Sequence, residues 1–107
     1  MAEIFEIPTN HDESDYKIRT VLEDIELVLR IRWNGRQQRW IMDILDSAEA
    51  VLLLGIVLNT NIEFIRRFQV EGLPPGLLML FNKSGKFDEC TFEGLGDTHA
   101  LLYETDV

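Results

Sequence analysis

Hydrophobic and polar residues alternate most regularly between Ile25 and Leu45. Ile25, Leu27, Leu29, Ile31 and Trp33 occupy every second position, with Glu26, Arg30 and Arg32 among the residues between them. Successive side chains of a β-strand point to opposite faces, so this segment is predicted to be a strand with one apolar face. A return run opens at Trp40 and carries Met42 and Ile44 at the same parity. Between the runs stands Asn34-Gly35, two residues that tolerate the positive φ needed at both central positions of a type I′ turn. A two-residue loop pairs Trp33 with Arg36, Leu29 with Trp40, Leu27 with Met42 and Ile25 with Ile44. A four-residue loop, Asn34 to Gln37, pairs Trp33 with Gln38 and Ile31 with Trp40. Both registers keep the apolar sets on one side, and the pattern does not choose between them.

The remaining chain also reads as short strands divided by turn residues. Glu3 to Pro8 is expected to be a first strand, with Phe5 and Ile7 on one side and the proline ending it. Thr9 to Asp15 is a polar loop. Tyr16, Ile18 and Thr20 then begin a second strand whose Lys17 and Arg19 point away, and Glu23-Asp24 separates it from Ile25. Val51 to Leu58 is a continuous branched run, which suits a strand buried on both faces, and Gly55 inside it suggests a bulge. A helix from Ser47 to Leu54, capped by Asp46 or Ser47, is the competing reading. Ile62 to Val70 fits both periods and is read as a strand because its surroundings are β-rich. Gly72-Leu73-Pro74-Pro75-Gly76 interrupts the pattern, since tandem prolines cannot sit inside a ladder. Leu77 to Phe81 forms a further strand, Asn82 to Gly85 a turn, Leu95-Gly96-Asp97 a loop, and Ala100 to Tyr103 a closing strand. About seven such strands imply an all-β fold, a small antiparallel β-sandwich or partly open β-barrel.

Length and composition narrow this further. At 107 residues, 46% of them hydrophobic and 27% charged, the chain is expected to fold as a single β-rich domain spanning residues 1–107. Its formal charge of −9 disfavours nonspecific binding to nucleic acid or anionic membranes. The basic residues nonetheless cluster: Arg30, Arg32, Arg36 and Arg39 surround the hairpin tip, and Arg66-Arg67 form a second group. The four hairpin arginines are either an ordinary solvated exterior or a protein-interaction patch for an acidic partner surface. The single cysteine, Cys90, excludes an internal disulfide and fits a reducing compartment. Residues 1–10 lack the basic-then-apolar order of a signal peptide, and the longest apolar run, Ala50 to Leu58, is well short of the ~20 residues of a spanning helix. A soluble, non-secreted protein is expected.

No catalytic, metal-binding or cofactor-binding residues are predicted. His11 and His99 are not spaced as a metal pair, and Ser14, Ser47, Ser84 and Cys90 stand outside any nucleophile motif. Paired carboxylates are uninformative in so acidic a chain. Gly94-Leu95-Gly96 lacks the third glycine or Lys-Ser/Thr of a phosphate loop. Trp33 and Trp40, interleaved with arginines, could form a nucleic-acid stacking platform, but their parity with Leu27, Leu29 and Met42 favours the core.

The order of these features resembles the baseplate plug family of contractile-tailed phages, first recognised in a cyanophage. The resemblance runs from about Tyr16 to Glu104. Its markers are Trp33-Asn34-Gly35-Arg36, Trp40-Ile41-Met42-Asp43-Ile44, Gly55-Ile56-Val57-Leu58, Pro74-Pro75-Gly76, Leu95-Gly96 and Leu101-Leu102-Tyr103-Glu104. Where the family carries an acidic residue before its late Leu-Gly, this chain has Gly94, with Glu93 one position earlier. The resemblance implies a non-enzymatic structural component of a phage or prophage tail, located in the virion baseplate near the central hub and present in host cytoplasm during assembly. It further implies baseplate and hub proteins as partners and no cofactor. A tail axis favours a cyclic homo-oligomer, with a trimer expected. Two rivals are a small acidic immunity- or antitoxin-like module that binds a basic protein, and a nucleic-acid-binding β-domain. Neighbouring genes would discriminate the first, and salt-sensitive oligonucleotide binding the second.

Overall fold

In the computed structural model, which describes residues 3–65, 68, 70–85 and 88–105, seven strands form two antiparallel sheets. They are β1 (Ile4–Ile7), β2 (Asp15–Leu22), β3 (Ile25–Asn34), β4 (Arg39–Asp46), β5 (Val51–Val57), β6 (Leu77–Asn82) and β7 (His99–Glu104). β2-β3-β4-β5 make a four-stranded meander, and β1-β7-β6 a three-stranded sheet. The described residues contain no α-helix. The sheets share one apolar core: Leu29, Ile31, Trp40, Met42 and Ile44 of the larger sheet cluster with Ile7, Leu78, Leu80, Leu101 and Tyr103 of the smaller. This is a small β-sandwich, and no barrel closes. The alternation from Leu27 to Ile31 is the cause, because it gives β3 a fully buried face that the second sheet must cover.

The β3–β4 hairpin keeps the expected parity but adopts neither expected register. Trp33 faces Trp40 and Asn34 faces Arg39, leaving Gly35 to Gln38 as a four-residue loop. Asn34 organises it: its Oδ1 accepts the Arg36 N–H at 3.0 Å and the Gln37 N–H at 3.1 Å. Positive φ falls on Gln38, at 56°, and not on Asn34 or Gly35. An Asx-type turn thus replaces the type I′ turn. The aromatic side chains favour the same outcome, since this register brings the Trp33 and Trp40 rings edge to face at 5.4 Å. The left-handed pair occurs instead at Glu23-Asp24, with φ of 50° and 66°, where a two-residue loop joins Leu22 to Ile25.

One further expectation is corrected. β5 is an edge strand and is not buried on both faces; Val51 and Leu54 are 56% and 65% exposed. The helical alternative at Ser47 is also absent, because the Asp46 carboxylate accepts the Ala48 and Ala50 N–H groups in a tight turn. Gly55 does form the expected bulge, with φ of 69° and a register shift between the pairs Met42–Ile56 and Ile44–Leu53.

Ile62 to Val70 forms no named strand among its described residues. Phe64 and Ile65 are sequence neighbours and both are buried, and Glu63 and Thr60 make only single bridges to Met79 and Leu80 instead of a continuous ladder. They run beside the free edge of β6, where Phe64 N–H donates to Leu78 C=O at 2.9 Å and the Glu63 carboxylate accepts the Leu78 N–H at 2.9 Å. Arg66-Arg67 lie outside the described residues.

Candidate assembly interface

Alternation along β2, β3 and β4 sends Lys17, Arg19, Arg30, Arg32, Asp43 and their row neighbours to the outer face of the larger sheet. This face is a lattice of ion pairs. Arg30 grips Asp15 through two bonds, Nε to Oδ1 at 3.0 Å and Nη2 to Oδ2 at 2.7 Å. That grip lowers the Asp15 carboxyl below its ordinary value and raises the Arg30 guanidinium. Lys17 Nζ donates to Glu49 at 2.6 Å and lowers its carboxyl in the same way, while Arg19 reaches Glu26 and Glu49 at 3.2 and 3.5 Å.

Arg32 bonds the Asp43 carboxylate, which is almost fully buried. Asp43 Oδ1 also accepts the Gly55 N–H at 2.8 Å, so one carboxylate ties β3 to the bulge of β5. The Arg30 and Arg32 pairs are diagonal. Asp15 stands directly opposite Arg32, and Asp43 directly opposite Arg30. Long side chains reach such diagonal neighbours readily.

The four hairpin arginines therefore differ in role. Arg30 and Arg32 are held by carboxylates of adjacent strands. Arg39 lies 3.8 Å from Glu89 and donates to the Gln38 C=O. Arg36, exposed on the turn, makes no ion pair among the described residues. The structure gathers Arg30 and Arg32 on one sheet face and sets Arg36 apart at the tip.

The inner face explains why the tryptophans are not a surface platform. Trp40 is fully buried, donates its indole N–H to the Thr91 C=O at 3.2 Å and stacks on Phe92 with centroids 5.3 Å apart. Trp33 packs edge-on against both rings. Burial pushes the Cys90 thiol up to about 12, so it is a poor nucleophile. His99 is buried beside Thr98 Oγ1 and the Asp88 carbonyl, and His11 meets the Leu95 carbonyl. Among the described residues no group of three or more His, Cys, Asp and Glu is placed to hold a metal ion.

With this geometry in place, a family model described as "Cyanophage baseplate Pam3 plug gp18" matches residues 4–106. The chain belongs to the cyanophage baseplate plug family. No curated protein matches it. As a plug-family member it is a phage baseplate protein, and the family places it in the virion tail among other baseplate proteins. The acidic partners Asp15, Asp43 and Glu89 escape a reading focused on the arginines. For Asp15 and Asp43, strand parity was the available signal, because alternation along β2 and β4 sends both to the arginine face.

Proposed function

We propose that this protein is a non-catalytic structural plug of a contractile tail, seated at or near the central hub and acting through protein–protein assembly as a single β-rich domain. The family match across nearly the whole chain carries this reading. The partners are hub and baseplate proteins, not nucleic acid or membrane, and assembly begins in host cytoplasm. A cyclic homo-oligomer, a trimer, matches the symmetry of a tail axis.

Within this reading the hairpin tip is the first contact, with Arg36 meeting an acidic surface on a neighbouring subunit. Arg39 supports it from the strand end, and Arg30 and Arg32 add donors left over from their internal pairs. The test is complementation of a plug-deleted phage by an Arg36→Glu/Arg39→Glu variant. Loss of infectious particles with a folded protein is expected. Normal tail assembly would overturn the role of the tip. Copy number per purified baseplate, counted by mass spectrometry, checks the trimer.

A further inference from the structure

The sandwich is open along one side, where the edge strand of each sheet ends without a strand partner. β1 has only β7 as a strand neighbour, and β2 only β3. Between them lies a cleft of about 860 Å³, bordered by Phe5 of β1, Val21 of β2 and the Glu23-Asp24 turn. Its floor contains the buried side chains of Ile7 and Leu22, whereas Phe5 and Val21 are 47% and 62% exposed.

Two features of this opening point to its occupant. The first is backbone capacity. The Thr105 N–H donates to the Glu3 C=O at 2.8 Å, so alternation along the ladder directs the peptide groups of Glu3, Phe5 and Ile7 towards β7. Those of Ile4 and Glu6 face outward and are able to accept another strand. The outer edge of β6, in the same sheet, differs: it is lined by Asn61 to Phe64, where the Asn61 and Phe64 N–H groups meet its carbonyls. The second is charge. Glu3, Glu6, Glu23 and Asp24 all line the cleft, and none of its described lining residues is a lysine or arginine. Glu23 is engaged by the Tyr103 hydroxyl, which leaves Glu3, Glu6 and Asp24 to set the character of the rim. On the outer sheet face, by contrast, carboxylates sit beside arginines of the same chain.

We propose that the β1–β2 cleft receives an extended, basic segment of a neighbouring baseplate protein, which adds as a strand to the free edge of β1 and seats its apolar side chains against Phe5 and the Ile7–Leu22 floor, passing beside Val21 at the rim. A second copy of this acidic chain is disfavoured, because it would bring like charges to the rim. The identity of the partner as a baseplate protein rests on the plug reading, whereas the cleft and its charge do not.

The test places a photo-crosslinking residue at Val21 in phage-assembled plug, with Leu54 on the β5 edge as the control position. After irradiation of purified baseplates, the adduct peptide is mapped. A Val21 adduct to a lysine- or arginine-rich segment of another protein, absent from the Leu54 sample, is expected. An adduct to a second copy, an adduct to an acidic segment, or no adduct from plug present in the particle would overturn the proposal. Absence of the protein from purified baseplates would instead overturn the plug reading, and the partner assignment with it. In a Glu3→Lys/Glu6→Lys variant whose thermal midpoint is unchanged, the Val21 adduct is expected to fall by about tenfold; an unchanged yield would remove the charge component.

Discussion

The two faces of the four-stranded sheet are built from the same strands and follow opposite rules. On the inner face Leu29, Ile31, Trp40, Met42 and Ile44 are fully buried and require only apolar company. On the outer face Arg30, Arg32, Lys17 and Arg19 each meet a carboxylate, so that side is largely neutralised within the chain. Inner-face residues hold the sandwich through area removed from water, a non-directional effect. Outer-face charges hold it strongly where burial and geometry coincide, as at Asp43, and weakly where the pair is exposed. A positively charged residue on this protein is therefore not automatically a binding residue; its availability depends on what the next strand presents.

The largest expected effect lies on the inner face. Trp40→Ala should cost about 3–5 kcal/mol, the range for removing a large buried aromatic, and is read by denaturant unfolding. The same variant should expose Cys90. In the wild type, burial and a thiol pushed up to about 12 should keep alkylation at pH 8 limited by unfolding, and Trp40→Ala should accelerate it exponentially with the lost stability, about tenfold for each 1.4 kcal/mol. A loss below about 1 kcal/mol would show that the inner face does not dominate in the way the burial pattern implies.

Asp43→Ala comes next, although it belongs to the charged face. It strands Arg32 and the Gly55 N–H together, and about 2–4 kcal/mol of destabilisation is expected from unfolding curves. If Asp43→Ala proves as mild as a surface change, the division between buried and exposed pairs on this face fails.

Smaller still is the effect of Asp15→Asn, which breaks an exposed pair. Its signature is in pH and not in size. Because the folded-state Asp15 and Glu49 carboxyls are lowered, their contribution is present above the ordinary carboxylate range and lost as pH falls through the lowered folded values. The wild-type thermal midpoint should therefore drop more steeply on acidification than that of Asp15→Asn, and the gap should shrink in high salt. Equal slopes would remove the pair from the stability account. Arg36→Glu should change unfolding stability least, within about 0.5 kcal/mol, while its effect should appear in tail assembly alone.

Much of this was legible in the linear pattern, and the misses share a cause. The parity of the β3–β4 hairpin, the burial of Trp40 and the bulge at Gly55 follow from side-chain alternation and glycine chemistry, both local. The hairpin register did not follow, because Asn34-Gly35 is compatible with more than one loop. The choice was made by an Asn34 side chain capping the turn and by two indole rings meeting across the strands. Ile62 to Val70 was misread because its two adjacent buried residues serve the edge of β6, a strand more than ten positions later. The arginine patch was visible as composition, but its neutralisation by Asp15 and Asp43 depends on residues 15 and 11 positions away in sequence.

By itself the sequence determined the all-β class, the inward and outward sides of the central strands, and an order of motifs that the family match supports. These depend on backbone geometry with a period of two, which any strand obeys wherever it ends up. Only the tertiary structure decided which strands became edges, which arginines found carboxylates, and that β1 and β2 leave an acidic cleft between them. Those outcomes depend on how two sheets align and which edges pair, long-range choices set by the summed packing of the core and not by any one segment.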